Sequence, residues 1–293
     1  MFLEIVYNAG IRRTMTETIG FEISGGCLIR YTGQESHAEI PFGVTVIGKS
    51  AFSACSELQS VSIPDGVINI ENDAFAECTM LETVTLPESL ARIGKNAFHS
   101  CTALSGIILP SALEFLGEGS FAYCEALETI RIPGSVSVVP DQCFIGCTNL
   151  REAILEAGIT GIGMFAFADN ASLKDLMIAD TVRTIGPYAF QNCTSLSEIR
   201  LPRDMNVIHT HAFYGCKALM EVSFHEGLER IEERAFSLCR NLECIDLPAS
   251  LQTIGFRAFA GCESVTRVHI PEKAAELDGG VFGQLPRLNA NAL

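Results

Sequence analysis

Apolar residues return along this chain at a fixed interval. Cys78–Ser100 reads CTMLETVTLPESLARIGKNAFHS, with apolar landmarks at Cys78, Leu81, Val84, Leu86, Leu90, Ile93, Ala97 and Phe98, punctuated by Pro87 and Gly94. Steps of 23 residues from Phe98 land on Phe121, Phe144, Phe167, Phe190, Phe213, Phe236, Phe259 and Phe282, and backward on Phe75 and Phe52. Eleven of the chain's 18 phenylalanines therefore share one register. A short fixed period marks a stacked repeat, in which each coil buries its apolar face only against its neighbours. The expected fold is a β-rich repeat solenoid of about eleven coils with short helical or irregular turns.

Within a coil, alternation at Val61 and Ile63, Val84 and Leu86, or Ile130 and Ile132 predicts a strand with one buried face. Most of these strands end in proline, as at Pro64, Pro87, Pro110 and Pro133, which lacks an N–H and turns the chain. A second apolar pair follows, Val67 with Ile70 or Leu90 with Ile93, and then a glycine at Gly94, Gly117, Gly163, Gly186 or Gly255. Those glycines are expected to make a corner through a positive φ. Glu156, Ala179 and His225 replace the proline, and Asn170 replaces the recurrent cysteine, so 150–180 is the least regular stretch.

Residues 1–40 lack the repeat and are assigned to an N-terminal extension and β-hairpin cap, with the solenoid at 41–293. Gly25-Gly26, between FEIS and CLIRYTG, is a two-glycine hairpin signal. Met15 reads as a natural beginning for the cap, which makes 1–14 either an extension or the product of a misassigned start. The last coil loses its cysteine to Leu285, and its open strand edge predicts a monomer or a weak end-to-end dimer.

Composition narrows the function classes. Apolar residues reach 48% and charged residues only 19%, as in a folded chain, and 35 acids against 20 bases leave a net charge of −15. This balance argues against phosphate-backbone binding and against attraction to anionic lipid, and it suits solubility or a basic protein partner. Nine of the 12 cysteines (Cys55, Cys78, Cys101, Cys124, Cys147, Cys193, Cys216, Cys239 and Cys262) occupy one repeat position. Parallel side chains one strand apart, at roughly 4.8 Å, are poorly placed for disulfides, so a buried free-thiol ladder is expected. No CxxC pair occurs, and no metal or other cofactor is expected. The opening MFLEIVYNAGIRR carries its charges after its apolar run, unlike an export signal. With the free thiols this predicts a cytoplasmic location, the alternative being the cell surface or secretion.

The pattern C-x2-L-x2-V-x-I-P-x2-V-x2-I-G-x2-A-F, best seen in Cys78–Phe98 and Cys239–Phe259, resembles the BspA-like leucine-rich repeats of bacteria over about 250 of the 293 residues. The resemblance implies a curved, right-handed stack of leucine-rich-repeat type with a parallel sheet on its concave side. It also implies a protein-binding or adhesive role. Ordinary leucine-rich repeats carry an inner asparagine or cysteine ladder where this chain has Gly66, Ser89, Ala112 and Ser135.

Candidate chemistry sits where the coils differ. Two positions per strand face outward. One column runs Ser62, Thr85, Ile108, Arg131, Ile154, Met177, Arg200, Ser223, Asp246, His269. The other runs Ser60, Thr83, Gly106, Thr129, Glu152, Asp175, Glu198, Glu221, Cys244, Arg267. Glu152, Asp175, Glu198 and Glu221 form an acidic stripe at strand spacing, where like charges destabilise and packing asks for none. Ile154 and Met177 lie beside it as an exposed apolar pair, between Arg131 and Arg200, and these eight residues are the candidate partner-binding site. An open sheet face supplies no water-excluding cleft to shift a carboxyl pKa, which argues against acid–base catalysis. Nucleophile-elbow, Walker and GxGxxG elements are missing, so no enzyme is expected. His209 and His211 are the best metal-like pair, but two ligands without a third make a weak site.

Overall fold

A computed structural model describes residues 20–271 and 280–283. The expected extension at 1–14 and Leu285 of the last coil lie outside the described residues. The described chain is a β-solenoid in which most coils contribute one longer strand and one two-residue strand. The longer strands stack in parallel, with Ser60–Ser62 pairing Thr83–Thr85 and Thr129–Ile132 pairing Glu152–Leu155, each partner 23 residues on. The two-residue strands form a second parallel ladder, as in Val46–Ile47, Asn69–Ile70, Arg92–Ile93 and Phe115–Leu116. No helix occurs among the described residues. Of the two turn types expected, the coils use the irregular one.

The core is a column. Phe52 through Phe259 are fully buried, and successive rings stack with centroids 4.7 to 5.5 Å apart from Phe52 to Phe259. Offset stacks of this kind add to the burial of each ring's area. At the N-terminal end Tyr31 stacks on Phe52 at 4.9 Å and Phe21 leans on Tyr31 at 5.1 Å. The hairpin Phe21–Ser24 with Cys27–Tyr31 turns through Gly25 and Gly26, both at positive φ (58° and 77°), and so delivers the two rings that close the column. The strand His37–Glu39, inside the segment assigned to the cap, already pairs with Ser60–Ser62.

The corner glycines work differently from the expectation. Gly94, Gly117, Gly163, Gly186 and Gly255 are not among the positive-φ residues. A Cβ on Gly94 would stand 2.6 Å from the main chain at Asn72 and Glu71, and one on Gly255 would stand 2.5 Å from Glu233 N. Close approach of the preceding coil demands glycine there. The left-handed positions fall elsewhere, twice per coil in the closing turn, at residues such as Asn96 and Ser100 (φ 53° and 56°) or Tyr188 and Asn192 (φ 60° and 57°). These turns are bonded coil to coil, as in Phe75 N–H to Ala97 O at 2.7 Å, so the main chain stays satisfied without a helix.

The thiol ladder is a hydrogen-bond ladder. Each buried cysteine of the register donates to the carbonyl of the phenylalanine 26 residues before it, from Cys78 to Phe52 O at 3.0 Å through Cys262 to Phe236 O at 3.3 Å. Asn170 keeps the same bond with its Nδ2, 3.0 Å from Phe144 O. Asparagine can stand in for cysteine because the site needs a donor of that reach. A hydroxyl ladder at the proline corner accompanies it. The hydroxyls of Ser89, Ser135, Thr181 and Ser250 donate to Val67, Leu113, Ile159 and Leu228 carbonyls at 2.6 to 2.8 Å.

Candidate functional site

The outer faces of the longer strands carry the candidate residues because strand side chains alternate. In Thr129–Ile132 the burial runs exposed, buried, exposed, buried, and Glu152–Leu155 repeats it with half-buried outer positions. Parallel register then sets Glu152 beside Asp175 and Glu198 beside Glu221. The ladder is interrupted between Asp175–Ile178 and Glu198–Arg200, which lie in separate sheets. The stripe is therefore two in-register carboxylate pairs. Among the described residues none of these four carboxylates has an ion-pair partner within 4.0 Å.

Ile154 and Met177 are neighbours in register, but they are not equally open. Met177 is 60% exposed and Ile154 is only half-buried, so the apolar contact offered to solvent is chiefly the methionine. The two arginines turn away from the stripe. Arg131 Nε meets Glu156 Oε1 at 2.6 Å, and Arg200 meets Asp180 at 3.2 Å. Glu156 is one of the residues that break the proline pattern, and its second oxygen accepts from Gly134 N at 3.3 Å. That irregularity is an ion-pair site at the end of the strand. Ile108, on the same outer column, is 86% exposed beside Gly106, where only an isolated bridge to Thr83 joins the sheet.

Buried titratable groups elsewhere are structural. Burial pushes the Cys101, Cys216 and Cys262 thiols up to about 12, and Cys143, which meets Ser120 Oγ at 3.3 Å, to the same range. A thiol so disfavoured as thiolate is a poor nucleophile and a poor metal ligand. His209 pairs with Glu232 at 3.2 Å. Burial alone would raise Glu232, but hydrogen bonds from Thr210 N–H and from His209 outweigh it and hold the carboxyl below its ordinary value. His211 stacks on Tyr188 at 4.6 Å, continuing from Phe165, which stacks on Tyr188 at 4.6 Å. This second, outer aromatic row was invisible in the sequence because its positions vary from coil to coil. Among the described residues no three histidine, cysteine or acidic side chains gather as for a metal. No helix among them is long and apolar enough to cross a membrane.

The profile of the BspA type leucine rich repeat region matches residues 29–151 and 160–289, in six copies. No curated protein matches the chain. Among solved structures, a leucine rich cell surface protein from Faecalibacterium prausnitzii A2-165 is 24% identical, with 97% of this chain and 98% of that one covered and a TM-score of 0.60. A leucine-rich repeat protein from Eubacterium ventriosum is 21% identical, with 89% and 88% covered and a TM-score of 0.54. The pneumococcal vaccine antigen PcpA is 18% identical, with 94% and 80% covered and a TM-score of 0.61. At these identities the likeness is one of fold.

Proposed function

Because this chain belongs to the BspA-type leucine-rich repeat family, we propose that it is a non-enzymatic scaffold that binds a protein partner along its longer-strand face. The observation that carries this reading is the pair of in-register carboxylate couples, Glu152 with Asp175 and Glu198 with Glu221, which have no counter-ion among the described residues and lie beside exposed Met177. Like charges on neighbouring strands cost stability, and a partner's lysines or arginines would offset that cost on binding. Met177, backed by Ile154, supplies the apolar anchor at the centre, with Arg131 and Arg200 at the margins. The partner is thus a basic protein surface with an apolar recess.

Replacing Asp175, Met177 and Glu198 together by alanine tests the site. A partner isolated by affinity capture from the source organism should bind the native chain in a salt-sensitive way and lose the triple variant. Equal capture of both forms would refute the assignment.

A second reading, a cell-surface adhesin, is favoured by the Faecalibacterium prausnitzii relative's description as a cell surface protein and by the antigen status of PcpA. Protease treatment of intact cells separates the two locations. Cleavage of the chain on whole cells places the same binding face outside, and full protection places it within.

A further inference from the structure

The two-residue strands carry a feature independent of the binding face just described. A shallow groove of about 300 Å³ opens on their side, lined by Lys49, Asn69, Glu71, Asn72, Arg92 and Phe115. We propose that it binds a carboxylate-bearing ligand the size of one sugar ring, such as a hexuronic acid.

Charge is the first argument. In a chain with net charge −15, Lys49 and Arg92 bring two cations to one groove, and neither side chain has an ion pair within 4.0 Å among the described residues. The groove's one carboxylate, Glu71, gives its Oε2 to the main-chain N–H of Lys49 at 3.0 Å, leaving the Lys49 ammonium unengaged by it. Geometry is the second. The Arg92 guanidinium lies over the Phe115 ring at 4.1 Å from its centre, and the two residues are paired in register. A guanidinium packed by its face keeps its in-plane N–H fork free, the arrangement that meets a carboxylate with two parallel hydrogen bonds. Asn72 Oδ1 accepts from Lys95 N at 2.9 Å, so its amide donors remain for a ligand hydroxyl, and Asn69 offers a second amide.

Strand pairing does not require these residue types. The equivalent positions in other coils hold Val46, Val138, Thr184 and Thr253, and those strands pair all the same. A phosphate would set its second negative charge against Glu71, whereas a carboxylate brings one charge and fits the fork. The exposed edge of Phe115 offers an apolar wall to the ring that carries it.

Titration of the isotope-labelled full chain with D-glucuronate, followed by amide NMR shifts, tests the site. Saturable shifts at residues 49, 69–72, 92–94 and 115 are expected, with weaker binding at higher salt. Arg92→Gln should weaken binding about tenfold or more at an unchanged melting temperature, and Arg92→Lys should fall between the two. D-glucose, acetate and inorganic phosphate serve as arms of the same titration. Glucose binding as tightly as glucuronate would overturn the carboxylate, acetate doing so would overturn the ring, and phosphate doing so would overturn the choice of anion. No saturation at millimolar glucuronate, or an unaffected Arg92→Gln variant, would overturn the site itself.

Discussion

Replacing Phe144 by alanine removes one ring from the middle of the aromatic column. Phe144 is fully buried and stacks on Phe121 at 5.4 Å and on Phe167 at 5.2 Å. Truncation of such a ring costs about 3–5 kcal/mol through lost burial and the cavity left behind. The two stacked contacts account for about 1–3 kcal/mol of that, at about 0.5–1.5 each. Phe144→Leu keeps most of the apolar volume and should cost about 1–3 kcal/mol, chiefly the lost stacking. Phe282 is a control built into the same column, since it is only half-buried and its contact with Phe259 is the loosest of the series at 5.9 Å. Phe282→Ala should therefore cost clearly less than Phe144→Ala. Urea unfolding followed by far-ultraviolet circular dichroism measures all three. In a stack of nearest neighbours the damage should also be local, seen as faster amide exchange in the coils on either side of residue 144. A cost for Phe144→Ala below about 1.5 kcal/mol, or one matched by Phe282→Ala, would refute the column as the source of stability.

Three further outcomes are expected. Iodoacetamide on the native chain should label Cys27, Cys55 and Cys244, the half-buried thiols, and reach the nine buried ones only on unfolding. Peptide mass mapping before and after unfolding reads which thiols are modified, and labelling of the buried nine in the native chain would refute the ladder. Gly94→Ala should cost about 1–3 kcal/mol, its Cβ meeting main chain at 2.6 Å, whereas Gly106→Thr enters open space at an ordinary φ and should stabilise by about 0.4–1 kcal/mol, both by urea unfolding. His211 is held below the ordinary histidine value by burial and then by Arg234, against the smaller opposing pull of Glu233, and it packs on Tyr188 and Tyr214. The unfolded chain therefore takes up the proton first, so stability tied to neutral His211 is complete above about pH 6.5 and is lost as pH falls below it. His211→Phe should flatten that part of the melting-temperature profile, and an unchanged slope would assign it to other groups.

Much of this architecture was legible because a repeat prints the same physics many times. The phenylalanine register, the alternating strand positions and the unbridged cysteine column each follow from a period that a single coil could not display. Even the outward columns could be listed, since strand alternation needs only local geometry. What a lone coil cannot reveal is what its neighbour presents. The corner glycines read as left-handed turns, and they are instead sites where the preceding coil's main chain comes too close for a Cβ. Asn170 read as a lapse in the cysteine register, and it proves to donate the same bond to Phe144.

The sequence by itself determined the period, the stack and the parallel pairing of its strands, because burying one apolar face per coil admits little else. Only the tertiary structure decided which outward residues are free to act. It drew Arg131 and Arg200 to Glu156 and Asp180, left the four stripe carboxylates without ion-pair partners among the described residues, and laid Arg92 on Phe115 at the edge of a groove. Those outcomes depend on distances between side chains at least 20 residues apart in sequence, which no local periodicity encodes.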